Sequence, residues 1–149
     1  MNQLRTWVLI ADGARARVLE NSGPGHSWVS IERLVFHADH SATHELVSDR
    51  AGRSFSSSGA GRSAIESRSD PHRELKAKFA RHLADILASE LAQGSYHRLI
   101  VVAAPVTLGD LREAVSAQVR ATIVDEIAHD LTKIPDSEVA AHLKGVPVA

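Results

Sequence analysis

"RLIVVAAP", residues 98–105, is an unbroken apolar run from Leu99 to Ala104 closed by Pro105. A strand with one buried face alternates apolar and polar residues. A run without that alternation reads instead as a central strand covered on both faces, and Pro105, which has no N–H for a ladder, ends it. The rest of the chain must therefore supply both neighbouring strands and covering helices.

The neighbours lie at the N-terminus. Trp7–Ala11 and Ala16–Glu20 are strand-like runs separated by Asp12-Gly13, a dipeptide that tolerates the positive φ of a tight hairpin, so the two pair antiparallel. Asn21-Ser22-Gly23-Pro24-Gly25 has turn composition, and Trp28–Phe36 follows as a third strand, completing a meander. Trp7 and Trp28 each open an apolar strand and read as core.

The covering layers come later. Asp70-Pro71 has the form of an N-cap followed by proline at the first helical position. Leu75, Phe79, Leu83, Ile86, Leu87 and Leu91 then recur at three- and four-residue steps, with Arg73, Lys76 and Arg81 largely outside the stripe and Gly94 as the stop. Thr107 with Asp110 resembles a capping arrangement for a short helix through Leu111 and Ala114. Residues 119–127 read as a strand from their β-branched content, although a helix would place Val119, Ile123 and Ile127 on one face. A last helix spans about Asp136 to Leu143. These elements describe a single α/β domain over residues 1–149, a sandwich with a mixed sheet and an N-terminal antiparallel meander.

Composition narrows the function. With 149 residues and no cysteine, the chain is one domain in size and holds neither a disulfide framework nor a thiolate metal site. The apolar run at Trp7–Ala11 is interrupted by Asp12, too short for a signal peptide or a membrane span, so a cytoplasmic protein without membrane insertion is expected. The net charge is −1, but it is unevenly spread. Residues 50–81 hold eight Lys/Arg against three Asp/Glu, while both flanking parts are acidic. A local positive field of this kind suits an anionic partner. That segment is a Ser/Gly/Arg tract at about 49–70, "DRAGRSFSSSGAGRSAIESRSD", where Phe55 and Ile65 are the large apolar side chains, together with the start of the helix that follows.

Several segments together, "WVLIADGARARVLE", "ELVSDRAGRSF", "GAGRSAIESRSDPHRE", "RLIVVAAP", "LGDLREAV" and "EIAHDLTKIPDSEVAAHL", are similar to the bacterial host attachment protein family. That family is grouped with bacterial relatives of the archaeal and eukaryotic peptide-chain release factors. The resemblance covers nearly the whole chain in order. It implies a fold like the release-factor middle domain and two different roles: attachment to host cells by the family name, ribosome binding by the kinship. In release factors a loop carrying Gly-Gly-Gln precedes a long basic helix. Here Gly59-Ala60-Gly61-Arg62-Ser63-Ala64 occupies that place, with Ala60 between the glycines and Arg62 where glutamine is expected. Ester hydrolysis is therefore not implied, and a degenerate hydrolase ranks behind the other two roles. Ala51 stands where relatives of the "DRAGRSF" segment are expected to carry proline.

The RNA- or ribosome-binding reading names Arg50, Arg53, Gly59, Gly61, Arg62, Ser63, Arg68, Arg73 and Lys76: glycines let backbone approach closely, and basic side chains hold phosphates. Two other readings of the tract stay open, a solvated insertion without a ligand and a packed arm in an oligomer. A protein partner is the alternative to RNA. His37, His40 and His44, with Asp39 and Glu45, have the residue types of a metal site but match no helical spacing such as His-Glu-x-x-His, so no metal or other cofactor is expected. Asp12 could pair with Asp39 or Asp49 for metal-assisted phosphodiester cleavage, but an Asp-Gly turn accounts for it more simply. There is no Gly-x-Ser-x-Gly elbow, and Gly59-Ala60-Gly61 lacks the lysine and preceding strand of a P-loop.

Overall fold

The computed structural model describes residues 4–23, 25, 27–38 and 71–143. They form a five-stranded mixed sheet and four helices. The strands are β1 (Thr6–Ala11), β2 (Arg15–Asn21), β3 (Val29–His37), β4 (Arg98–Ala103) and β5 (Ile123–Ile127). The helices are α1 (Pro71–Ala92), α2 (Pro105–Ala114), α3 (Ala117–Thr122) and α4 (Asp136–His142). The sheet order is β3-β2-β1-β4-β5. The meander β1-β2-β3 is antiparallel, whereas β1 with β4 and β4 with β5 are parallel.

Burial on both faces holds for β4, in which Leu99–Ala103 are all buried, and β1 is buried along its whole length. Trp7, Leu9 and Ala11 join Leu99, Val101 and Ala103 on one face, where α1, α2 and α3 cover them. Val8, Ile10, Ile100 and Val102 point the other way, against Leu131, Val139 and Leu143 of α4 and its flanks. Alternate residues of the same apolar runs thus serve two cores, which is why those runs lack a polar position. Trp7 lies in the first core, stacked on Tyr96 at 4.6 Å, and half-buried Trp28 packs against the second.

Three local expectations are corrected. Gly13 does not take the positive φ expected of the hairpin; among the described glycines only Gly23, Gly25 and Gly94 do. The turn is held instead by Asp12, whose Oδ1 accepts the amides of Ala14 (2.8 Å) and Arg15 (2.7 Å). Thr107 is not a helix cap: α2 begins two residues earlier, with Pro105 at its first position, and its N-cap Ala104 makes no side-chain cap bond. Residues 119–127 are neither all strand nor all helix. Ser116 caps α3 by accepting the Val119 amide at 3.2 Å, and the chain turns to strand only at Ile123. The apolar stripe of α1 also differs at its edges. Phe79, Leu83 and Leu87 are buried, Leu75, Ile86 and Leu91 are half-buried, and Glu90 is buried in the last turn.

Both outer strands are irregular. Between the pairs Leu19↔Ser30 and Arg17↔Val35, residues 31–34 of β3 stand opposite Val18 alone. Between Leu99↔Ile123 and Ile100↔Asp125, Val124 is an extra residue in β5, 45% exposed. Beside it, Asp125 Oδ1 accepts the Glu126 amide at 2.8 Å.

Candidate functional site

The parallel strands β1, β4 and β5 share one carboxyl edge. α1 runs back from that edge before β4 starts, so its first turns lie there, and α2 starts there directly after β4. The chain order reverses between β1 and β4: β1 continues into the meander on one side, and the crossover through α1 brings β4 in on the other. In open α/β sheets a crevice outside the carboxyl ends of the strands at such a reversal is the usual place for a ligand.

The β1–β2 turn forms one wall. Asp12 Oδ2 takes the Thr132 hydroxyl at 3.2 Å and the Arg15 guanidinium at 3.4 Å, in addition to the two amides on Oδ1. Burial pushes the Asp12 carboxyl upward, but the Ala14 and Arg15 amides, the Arg15 charge and the Thr132 hydroxyl outweigh it and hold it below the ordinary value. Asp12 therefore stays ionised with both oxygens engaged, the condition of a turn anchor rather than a proton-transfer group. The pairing with Asp39 or Asp49 lies outside the described residues.

α1 forms the second wall. A Cβ on Gly13 would meet Lys76 Cγ at 2.6 Å and Cδ at 2.8 Å, so the glycine is there to let the lysine stem lie across the turn. Lys76 is exposed and has no ion pair among the described residues. Arg73, three residues earlier, is held by Asp110 of α2 in a two-pronged pair, Nη1 to Oδ2 at 2.7 Å and Nη2 to Oδ1. That hydrogen bonding, with the Asp110 charge, raises the Arg73 guanidinium above its ordinary value. Arg73 thus ties α1 to α2 while Lys76 keeps its charge open.

The start of α2 is the third wall. Pro105 has no N–H, and the first amide to reach a carbonyl is that of Leu108, which donates to Ala104 O at 2.8 Å. Thr107 is 5% exposed.

Of the residues named from the sequence, Arg73 and Lys76 come together at this edge. Arg50, Arg53, Gly59, Gly61, Arg62, Ser63 and Arg68 lie outside the described residues, as do His40 and His44. His37 ends β3 opposite Arg15. Among the described residues no group of three His, Cys, Asp or Glu could hold a metal ion, and no helix is long and apolar enough to cross a membrane. Ala38 donates its amide to Ala14 O at 2.7 Å, so residues 39–70 depart from beside the β1–β2 turn and rejoin the fold at α1, whose Lys76 covers the same turn. Sequence reading missed the partners Asp110 and Thr132, which are 37 and 120 residues from the groups they hold. It also misassigned Gly13, because a close approach leaves no mark in the sequence distinct from a turn.

The model of a family described as "Protein required for attachment to host cells" matches residues 7–143, from β1 through the end of α4. No curated protein matches the chain.

Proposed function

The chain belongs to the family of proteins required for attachment to host cells, and we propose that it is a binding module, not a hydrolase, whose ligand face is the carboxyl edge of the sheet and whose ligand is RNA, on the ribosome or folded by itself. One observation carries the reading. The chain leaves the fold beside the β1–β2 turn after Ala38 and re-enters it at α1, and the first eleven residues of that helix, 71–81, hold four Lys/Arg against one Asp/Glu, with Lys76 fixed across the same turn. A basic segment of this kind concentrates positive charge at a crevice, the arrangement that neutralises phosphates and releases their counterions. The arginines Arg50, Arg53, Arg62 and Arg68 add planar donors that fit phosphate oxygens in pairs. The broken Gly-Gly-Gln pattern and the fully engaged Asp12 both speak against hydrolysis.

The test is retention on ribosomes across a salt series. Affinity should fall steeply between low and physiological salt, and replacing Arg53, Arg62 and Arg68 together with alanine should lower the affinity and flatten that slope. Absence of retention at low salt would end the reading. The family description favours a second one, in which the partner is a protein of the host or of the cell envelope. That partner would be held in a salt-tolerant way, and fractionation would recover the chain at the cell surface rather than with ribosomes.

A further inference from the structure

We infer that Lys76 binds a phosphate group at the β1–β2 turn and that Gly13 is the residue that positions it. The inference deepens the RNA reading above and rests on it for the source of the phosphate, a phosphodiester rather than the free ion.

Helical spacing first sets Lys76 apart. It stands four, seven and eleven residues before Ala80, Leu83 and Leu87, all buried in the first core, so it belongs to the same stripe of α1. That stripe is otherwise apolar at this spacing, yet Lys76 is exposed. The geometry gives the reason. β1 has ended at Ala11, and what meets the stripe there is the turn: Lys76 Cγ, Cδ and Cε lie 2.6, 2.8 and 3.1 Å from the place a Gly13 Cβ would take. Three successive carbons of the stem therefore run along the bare backbone of Gly13, and the ammonium is presented at the carboxyl edge. Because Gly13 has no positive φ, its backbone does not demand glycine; the lysine stem does.

Charge pairing sets Lys76 apart a second time. Arg15, Arg17 and Arg73 belong to the turn and to the elements that flank it, and each holds a carboxylate, Asp12, Asp136 and Asp110 in turn. Lys76 holds none among the described residues. Asp12, next to Gly13, already has both oxygens engaged by two amides, the Thr132 hydroxyl and Arg15. A cation whose stem is already held, beside carboxylates already neutralised, meets an anion with little further ordering cost.

The experiment uses the whole chain in two arms, a titration with inorganic phosphate that follows the Lys76 ε-methylene resonance and ribosome sedimentation across a salt series. A saturable shift is expected, and Lys76→Gln should weaken phosphate by about ten-fold, the worth of one charge-assisted hydrogen bond. On ribosomes it should reduce the slope of log affinity against log salt by about one. Gly13→Ala, which leaves every charge in place, should displace the lysine and reproduce both effects, with a melting temperature close to the wild type's. In the Lys76→Gln background it should add nothing, a result that a merely structural glycine would not give. Gly13→Ala curves that overlay the wild type in both arms, or an effect of equal size with and without Lys76, would overturn the inference. If phosphate titrates as expected but ribosomes are not retained, the site stands and the RNA reading falls. If ribosomes are retained equally by the wild type and both variants, the site falls and the RNA reading stands.

Discussion

Glu90 shows how a single residue can escape a pattern. It continues the helical spacing of the α1 stripe into the core, where a carboxylate would ordinarily be excluded. It is tolerated because Arg33, from the irregular part of β3, reaches it with two hydrogen bonds of 2.8 Å and the Ser95 hydroxyl donates a third at 2.7 Å. The Arg33 bonds dominate, opposed by burial and aided by Ser95, and together they hold the Glu90 carboxyl below its ordinary value. A depressed carboxyl contributes stability that is present above its unfolded value and lost as pH falls through the folded one. Glu90→Gln should therefore lower the melting temperature by a few degrees at neutral pH, and the gap to wild type should close on acidification below about pH 4. Thermal melts of the two proteins from pH 7 to 3 give the answer, and a gap independent of pH would remove Arg33–Glu90 as its source. None of this was legible in the sequence, because Arg33 and Glu90 are 57 residues apart and only the fold brings them together.

Helix ends divide into those written locally and those settled by packing. The end of α1 is local: Gly94 takes φ 76°, its amide donates to Leu91 O at 3.0 Å, and the Ser95 amide donates to Glu90 O at 3.0 Å, the paired bonds of a glycine-terminated helix. The Gly94 signal could be read in advance for that reason. Nothing lies within 4 Å of the Cβ that Gly94 lacks, so Gly94→Ala isolates the backbone cost, about 1 kcal/mol. A chemical denaturation curve should show that loss with an unchanged slope, and an unaltered midpoint would mean the helix ends elsewhere in solution. The start of α2 was not legible in the same way. Pro105 serves both to end β4 and to open the helix, and a Thr-x-x-Asp pattern two residues on imitates a cap. In residues 119–127 both local preferences were real, and each won over half the segment. Val119 is fully buried in the first core, while on β5 Asp125 is exposed and Glu126 half-buried.

At the scale of the molecule, the architecture was legible because one mechanism writes it. The same apolar runs that fill two cores also announce, by their lack of alternation, that two cores exist. The candidate site was legible only as charge. The basic segment could be counted, but the edge at which it meets the sheet depends on the crossover between β1 and β4, which no local signal encodes. The two outer strands add a consequence of a different kind. A sheet with free sides is a template onto which another chain can crystallise strand by strand, and open α/β proteins at high concentration face that hazard throughout their life in the cell. In β3 four residues crowd opposite one, and in β5 Val124 breaks the step while Asp125 occupies the neighbouring amide that an incoming strand would need. Asp125→Val should remove that obstruction, so its light-scattering mass should climb with concentration beyond the wild type's, with dye-binding fibrils on prolonged incubation; identical curves would assign the protection elsewhere. Diverging curves would make the irregularities of these strands gatekeepers against amyloid growth.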